Sequence, residues 1–441
     1  MKHKKLFISL TAVLAVFVFL GIFIFFWFVG DSYEDFEKFR KEFAIEGLDD
    51  GAVPQGLAEY YADYQEVGED GKTVTKKQHY FLTSAYMTDG SPSRIYVRGS
   101  VSGYIGYVTM ENIDGTLHTG HVGGIATNSS RLWLTDGDSV LVAKASKEYE
   151  NQNILREIVD KAAKNSELKK GEERLTIKFT ASFKTNGKAA YLYYFHDPRY
   201  TTTSYDRLYV GEFYRSGNYE TDKTHHATTP EGYKNTSFMY EYRVDYNSSN
   251  EYGLYVINQD KVKLVDANGE NVDVPQIQKI YSLPEKIQGV AFSGRASYGT
   301  SNGTLILSQS YGLANSHILC FDWNQVNTAK NNSKKYLTLA KNSFAYNGVY
   351  TVNPSTGKNN PYTDPDLIVY FVDMNNKEML LNDYSVPSMS EGMCTVTIQG
   401  SGNNPQDRVY VLFESGSKKY SAFTRRSMKN VYSFIPKTVF A

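Results

Sequence analysis

Side chains able to bind or transform a ligand recur at matching positions along this 441-residue chain. Gln55, His121, Gln288 and Glu391 each precede small residues, as in Gln55-Gly56-Leu57-Ala58, Gln288-Gly289-Val290-Ala291 and Glu391-Gly392-Met393. A second group, Ser84, Glu212, Tyr311 and Glu414, closes or directly follows apolar, strand-like runs. If the chain gathers both groups at one place, a carboxylate and an imidazole there could act as acid, base or ligand. His121, Glu212 and Glu391 are the candidates for catalysis. Gln55, Ser84, Gln288, Tyr311, Asn315 and Glu414 are the candidates for ligand binding.

Other chemistry is thinly represented. The loop Tyr214–Pro230 carries Asp222, His225 and His226. Adjacent histidines on an extended backbone face opposite ways, so a loop clamped by hydrogen bonds is expected there rather than a metal site. No D-x-D-x-D-G loop, P-loop, dinucleotide fingerprint or G-x-S-x-G elbow occurs. No cofactor is implied with certainty. A divalent cation such as calcium, on Glu391 and Glu212 with backbone carbonyls, is the one the oxygen ligands could take.

Composition narrows the class. There are 36 Tyr and 24 Phe, rings that suit half-buried pleated surfaces. The formal net charge is -1, and beyond Lys2, Lys4 and Lys5 no basic run offers a face for phosphates, so nucleic acid is not an expected partner. Cys320 and Cys394 cannot form a disulfide framework. They read as buried thiols or a single bridge.

The elements that must position the candidates show as repeats. Tyr281-Ser282-Leu283-Pro284, Tyr384-Ser385-Val386-Pro387 and Tyr432-Ser433-Phe434-Ile435-Pro436 end alike. The last has its continuation at Pro54-Gln55-Gly56, which describes a closed ring. Looser unit starts stand at His121–Ala126 and Thr180–Phe183. The expected fold is all-β: a single β-propeller of five blades, or six if a long interval hides one. Glycine and alanine at each start would let innermost strands crowd the axis. Asn324–Pro361 reads as an excursion, and residues 151–168 as a helical insertion with Ile154, Leu155, Ile158, Val159 and Ala162 on one face.

Leu6 to Val29 carry no charge, enough helix at about 1.5 Å per residue to span a membrane. With lysines before it and no A-x-A cleavage pattern after it, an uncleaved signal anchor is expected. The division is therefore an anchor at 1–30, an acidic neck at 31–50 and the strand-rich domain at 51–441. The neck, with Phe36, Phe39 and Phe43, reads as a packed helix or a spacer. The domain would be extracytoplasmic on a single-pass membrane protein.

The phrases Pro54-Gln55-Gly56-Leu57-Ala58, Thr119–Ala126, Gly211–Tyr219 and Ser310–His317 resemble a group of secreted or membrane-anchored Firmicutes propellers without an assigned activity. More distantly, Glu391-Gly392 is similar to strand starts of gluconolactonase-like and strictosidine-synthase-like propellers. The resemblance implies fold and a Gram-positive cell-surface location, not chemistry. The metal sites of the wider group use a carboxylate with Asn or Asp, where this chain has Gln55, His121 and Gln288. Two functions are carried forward: a ligand- or partner-binding propeller with its site at the channel mouth, for a small molecule, glycan or protein, and a lactonase-like or glycosidase-like hydrolase.

Overall fold

Short strands separated by glycine-rich turns account for most of the chain: strand makes up 49% and helix 10%, so the protein is all-β. The computed structural model describes residues 34–436, apart from 68–71, 151–152, 170, 197–205, 247–249, 296–301, 329–344, 354, 365–366 and 400–404. The expected membrane anchor lies outside the described residues. Among the described residues no helix is long and apolar enough to cross a membrane.

After β1 (Arg40–Ala44), most strands fall into five successive, mainly antiparallel sheets, and two smaller sheets lie among the connections. The first runs β2 (Ala52–Val67), β3 (Thr73–Met87), β4 (Arg94–Gly99) and β5 (Gly103–Glu111). The second comprises β6 (Ile125–Thr127), β7 (Leu132–Asp136) and β8 (Ser139–Ala143). Its outer strand, β10 (Ala181–Lys184), follows helix α1 (Ile154–Glu167) and β9 (Thr176–Lys178), which pairs parallel to β5. The third holds β11 (Ala189–Phe195) and β12 (Arg207–Glu212). A small hairpin, β13 (Ala227–Thr228) with β14 (Lys234–Asn235), precedes its third strand, β15 (Ser237–Arg243). Beyond β16 (Leu264–Val265) comes its fourth, β17 (Ile277–Leu283).

The fourth sheet has β18 (Ile287–Arg295), β19 (Asn302–Gln309) and β20 (Ser316–Asp322). Then come α2 (Trp323–Thr328), β21 (Tyr350–Val352), β22 (Asn359–Pro361) and β23 (Val369–Phe371) before its last strand, β24 (Leu380–Val386). The fifth has β25 (Ser390–Gln399), β26 (Pro405–Phe413) and β27 (Asn430–Phe434), with β1 as its outer member.

The first strands of the sheets touch in a cycle: β2 on β6, β6 on β11, β11 on β18, β18 on β25 and β25 on β2. Backbones come so close there that a methyl group has no room. One at Gly124 would stand 2.4 Å from Leu192 N in the third sheet, and one at Gly392 2.5 Å from Leu57 N in the first. Neither glycine has positive φ, so its role is space, not conformation.

Between sheets the packing is apolar. Phe36 and Phe39 pack with Phe413 and Phe434, while Ile154, Leu155, Ile158 and Ala162 of α1 cover Ile95 and Val108. Asn153 starts that helix by accepting from Arg156 N at 2.7 Å, the usual relief for a free helical N–H.

Three expectations change. Within the 31–50 neck, the described residues 34–50 are neither a spacer nor a single helix: a 3-10 turn (Glu34–Lys38) and β1 build them into the fifth sheet. Thr180–Phe183 does not start a unit but runs into β10, the outer strand of the second sheet; the third sheet starts at Ala189. Tyr432 lies on a third strand, whereas Tyr281 and Tyr384 lie on fourth strands, so the shared phrase marks aromatic outer strands rather than one fixed position. The excursion after Asn324 is also partly folded. Its Tyr346 is buried and accepts from Ile277 N at 3.2 Å.

Candidate functional site

The entry into four of the five first strands, all but β6, is irregular in the same way. Pairing shifts register at Gln55 in β2, near Ala190 in β11, at Gln288 in β18 and at Glu391-Gly392 in β25. A bulge leaves one residue unpaired and re-aims its side chain. Just before two of these bulges, Lys286 and Met389 adopt φ of 63° and 65°, a left-handed conformation that non-glycine residues hold at a cost. Their carbonyls anchor the ends of the second strands: Ser310 N donates to Lys286 O at 2.8 Å and Glu414 N to Met389 O at 3.0 Å. The second link sets Glu414 beside Glu391.

The result is a hydrogen-bonded pair of carboxyl groups. Glu391 is only 4% exposed, while Glu414 keeps a partly open side. Gln55 Nε2 donates to Glu414 Oε2 at 2.9 Å and to its neighbour Pro54 O at 2.9 Å. Burial raises the Glu391 pKa well above the carboxylate range, and the charge of Glu414 raises it further. Burial also lifts Glu414, to about 7, against the opposing pull of the Gln55 amide and Lys419. Two touching carboxyls cannot both ionise cheaply. At neutral pH Glu391 therefore holds the shared proton, and Glu414 is the member that ionises.

Aromatic and basic groups surround the pair. The Tyr86 hydroxyl accepts from Lys419 Nζ at 2.8 Å and lies 3.5 Å from that of Tyr420. The His121 ring tilts against Tyr86 with centroids 4.6 Å apart. His121 keeps an exposed face. Desolvation nonetheless lowers its pKa, with Asp136 opposing and Lys419 reinforcing the shift. A cavity of about 40 Å³ lies between Leu57, Glu59, Thr127, Tyr193 and Thr395. That is room for a few waters, far short of the ~300 Å³ of a small-molecule site. Glu59 is held there by His79 Nδ1 at 2.6 Å.

Gln55, His121, Glu391 and Glu414 thus gather in one cluster beside Tyr86. Gln288 occupies the matching bulge of the fourth sheet, half-buried. The others do not join them. Ser84 Oγ accepts from Gly56 N at 3.0 Å and donates to Val122 O at 3.1 Å, a tie between two sheets. Glu212 is fully buried, accepting from His225 Nδ1 at 2.8 Å, Phe238 N at 3.1 Å and the Tyr240 hydroxyl. It shares none of these partners with Glu391, so the expected trio of His121, Glu212 and Glu391 does not form, nor does the calcium arrangement on both carboxylates.

Tyr311 lies under the Arg215 guanidinium, 4.2 Å from its ring centroid, and accepts from it at 3.1 Å. Asn315 donates to Ser385 Oγ at 3.3 Å. The 214–230 loop is clamped as expected: Asp222 accepts from Thr224 N, and His226 contacts Thr221. Both cysteines are buried and free.

Sequence reasoning missed Tyr86, Lys419 and Tyr420. Tyr86 ends the same repeated strand as Ser84, so a signal existed for it. Lys419 and Tyr420 sit in an irregular connection between β26 and β27 that no period marks. Comparison with family models and with curated proteins returns no match.

Proposed function

We propose that this chain is a five-bladed β-propeller, tethered to a cell membrane by residues 6–29 with its domain outside the cytoplasm, which binds a ligand at the channel mouth. Support for the architecture is the cycle of first-strand contacts, with β1 supplying the outer strand of the last sheet. Single-pass anchorage rests on the uncharged run Leu6–Val29, and kinship with Firmicutes surface propellers on the phrases that resemble them.

The observation that carries the binding reading is the carboxyl pair Glu391–Glu414 with Gln55. Burying two acids against each other costs stability that an apolar pair would not, and such perturbed groups cluster at working sites. The pair offers one proton donor and one acceptor beside an amide, with Tyr86, His121 and Tyr420 as walls. That set suits a small polar ligand, or one residue of a glycan, presenting adjacent hydroxyls. The narrow channel keeps it at the mouth.

The test is a thermal-shift and calorimetric screen of the full chain against polyols and cell-wall glycan fragments. A ligand whose affinity falls at least about tenfold (about 1.4 kcal/mol) in folded Glu391→Gln and Gln55→Ala variants supports the reading. A ligand bound equally well by both variants refutes it.

One observation favours a hydrolase: a carboxyl of pKa about 7 beside a protonated one is matched to acid–base work at neutral pH. The pair is in hydrogen-bond contact, closer than the ~5 Å or more that separates glycoside hydrolase carboxyls. Attack of water on a lactone is therefore the chemistry it fits. A lactone panel would show turnover with a pH limb near 7 that Glu414→Gln removes. Retention of that turnover by the variant would end the hydrolase reading.

A further inference from the structure

Next to the mouth, His118 is 4% exposed and its Nε2 has no hydrogen-bond partner. Its Nδ1 lies 2.8 Å from Asn112 Oδ1, and the Asn112 amide is oriented by its own donation to Thr116 Oγ1 at 3.1 Å. An amide oxygen only accepts, so Nδ1 carries the hydrogen, and in the neutral imidazole Nε2 then presents a lone pair. That lone pair faces a second acceptor, Asp136 Oδ2, at 3.6 Å. The separation exceeds a hydrogen bond. Two ligands at about 2.1 Å from one tetrahedral zinc stand about 3.4 Å apart.

The chain also keeps the space beside these atoms clear. A methyl at position 120 would fall 2.2 Å from Asp136 Oδ2 and 2.7 Å from His118 Nε2. Gly120 has no positive φ, so its backbone does not require glycine. A second-shell acceptor fixing the tautomer of a histidine is the usual accompaniment of a metal ligand.

We propose that His118 Nε2 and Asp136 anchor a divalent cation of the zinc type, with His121 as the third protein ligand. Among the described residues no three such side chains already surround one point. His121 here rests on Tyr86, and joining the site requires its ring to turn from Tyr86 toward Asp136. Asp136 is 29% exposed on its side chain and His121 is exposed, so the ion enters from the rim and a coordination position stays open to solvent.

The experiment is zinc titration of the full chain, with ZnCl2 against a chelating dye and X-ray absorption to count nitrogen and oxygen ligands. One tightly held zinc is expected. Asp136→Asn and Gly120→Ala, checked for fold by circular dichroism, should weaken it at least 100-fold, His121→Ala should also weaken it, and Asn112→Ala should cost about 10–100-fold. Absence of stoichiometric zinc, or affinity unchanged in folded Asp136→Asn, overturns the proposal. So does a zinc site with sulfur ligands. His121 belongs to both sites, but His118 and Asp136 do not line the carboxyl pair, so the Asp136→Asn result is read separately from the mouth's ligand.

Discussion

Replacing Glu414 by glutamine should flatten the dependence of stability on pH. In the folded chain Glu414 titrates at about 7 rather than at the ordinary 4.5. Between those values the folded state holds a proton that the unfolded chain has released. Unfolding is then favoured as pH rises, with full stability below 4.5 and the loss complete above about 7. At about 1.4 kcal/mol per pH unit the difference amounts to about 3 kcal/mol, less whatever the open side of Glu414 recovers from solvent. Glu391 adds a loss of the same sign at higher pH, since its pKa is raised further.

Glutamine keeps the shape and the contact with Gln55 but cannot ionise. The variant should match the parent at pH 4.5 and exceed it by about 2–3 kcal/mol at pH 8. Urea unfolding, followed by the emission of buried Trp133 and Trp323, gives both values. The difference between the two proteins isolates this site from other titrating groups. A difference that stays constant from pH 4.5 to 8, or one that favours the parent at pH 8, would refute the shared-proton pair.

Gly392→Ala drives a methyl into the backbone of Leu57 and Gly56. It should cost at least the ~1–3 kcal/mol of an overpacked core and lower the urea midpoint, whereas Gly90→Ala, open within 4 Å but at φ 76°, should cost only about 1 kcal/mol. Phe39→Ala removes a buried ring that touches Phe434 with centroids 4.6 Å apart; a loss of about 3–5 kcal/mol is expected, and none if residues 31–50 were a spacer. Asn153→Ala should remove about 1 kcal/mol through the α1 cap, visible as a lower melting temperature.

Local signals carried much of this protein. Periodic apolar faces announced α1, and Gly and Ala beside Gln55, Gln288 and Glu391 marked the strands that crowd together. These readings succeed because strand alternation, helical period and close approach are written in consecutive residues. The phrase around Tyr432 misled because aromatic outer strands look alike at any position in a sheet. Thr180–Phe183 misled because an alternating outer strand resembles an inner one when pairing is unseen.

The candidate site divides along the same line. Sequence alone determined that Gln55, His121, Glu391 and Glu414 are polar groups at strand boundaries, since each breaks an apolar pattern. Only the tertiary structure decided that Glu391 and Glu414 share a proton while Glu212, identical in type and similar in position, is sealed among His225, Phe238 and Tyr240. Ionisation depends on which groups lie within a few ångströms. Those neighbours come from residues 55, 86, 121 and 419, brought together by the pairing of β1 with β27 and the contact of β25 with β2. No stretch of consecutive residues contains that information.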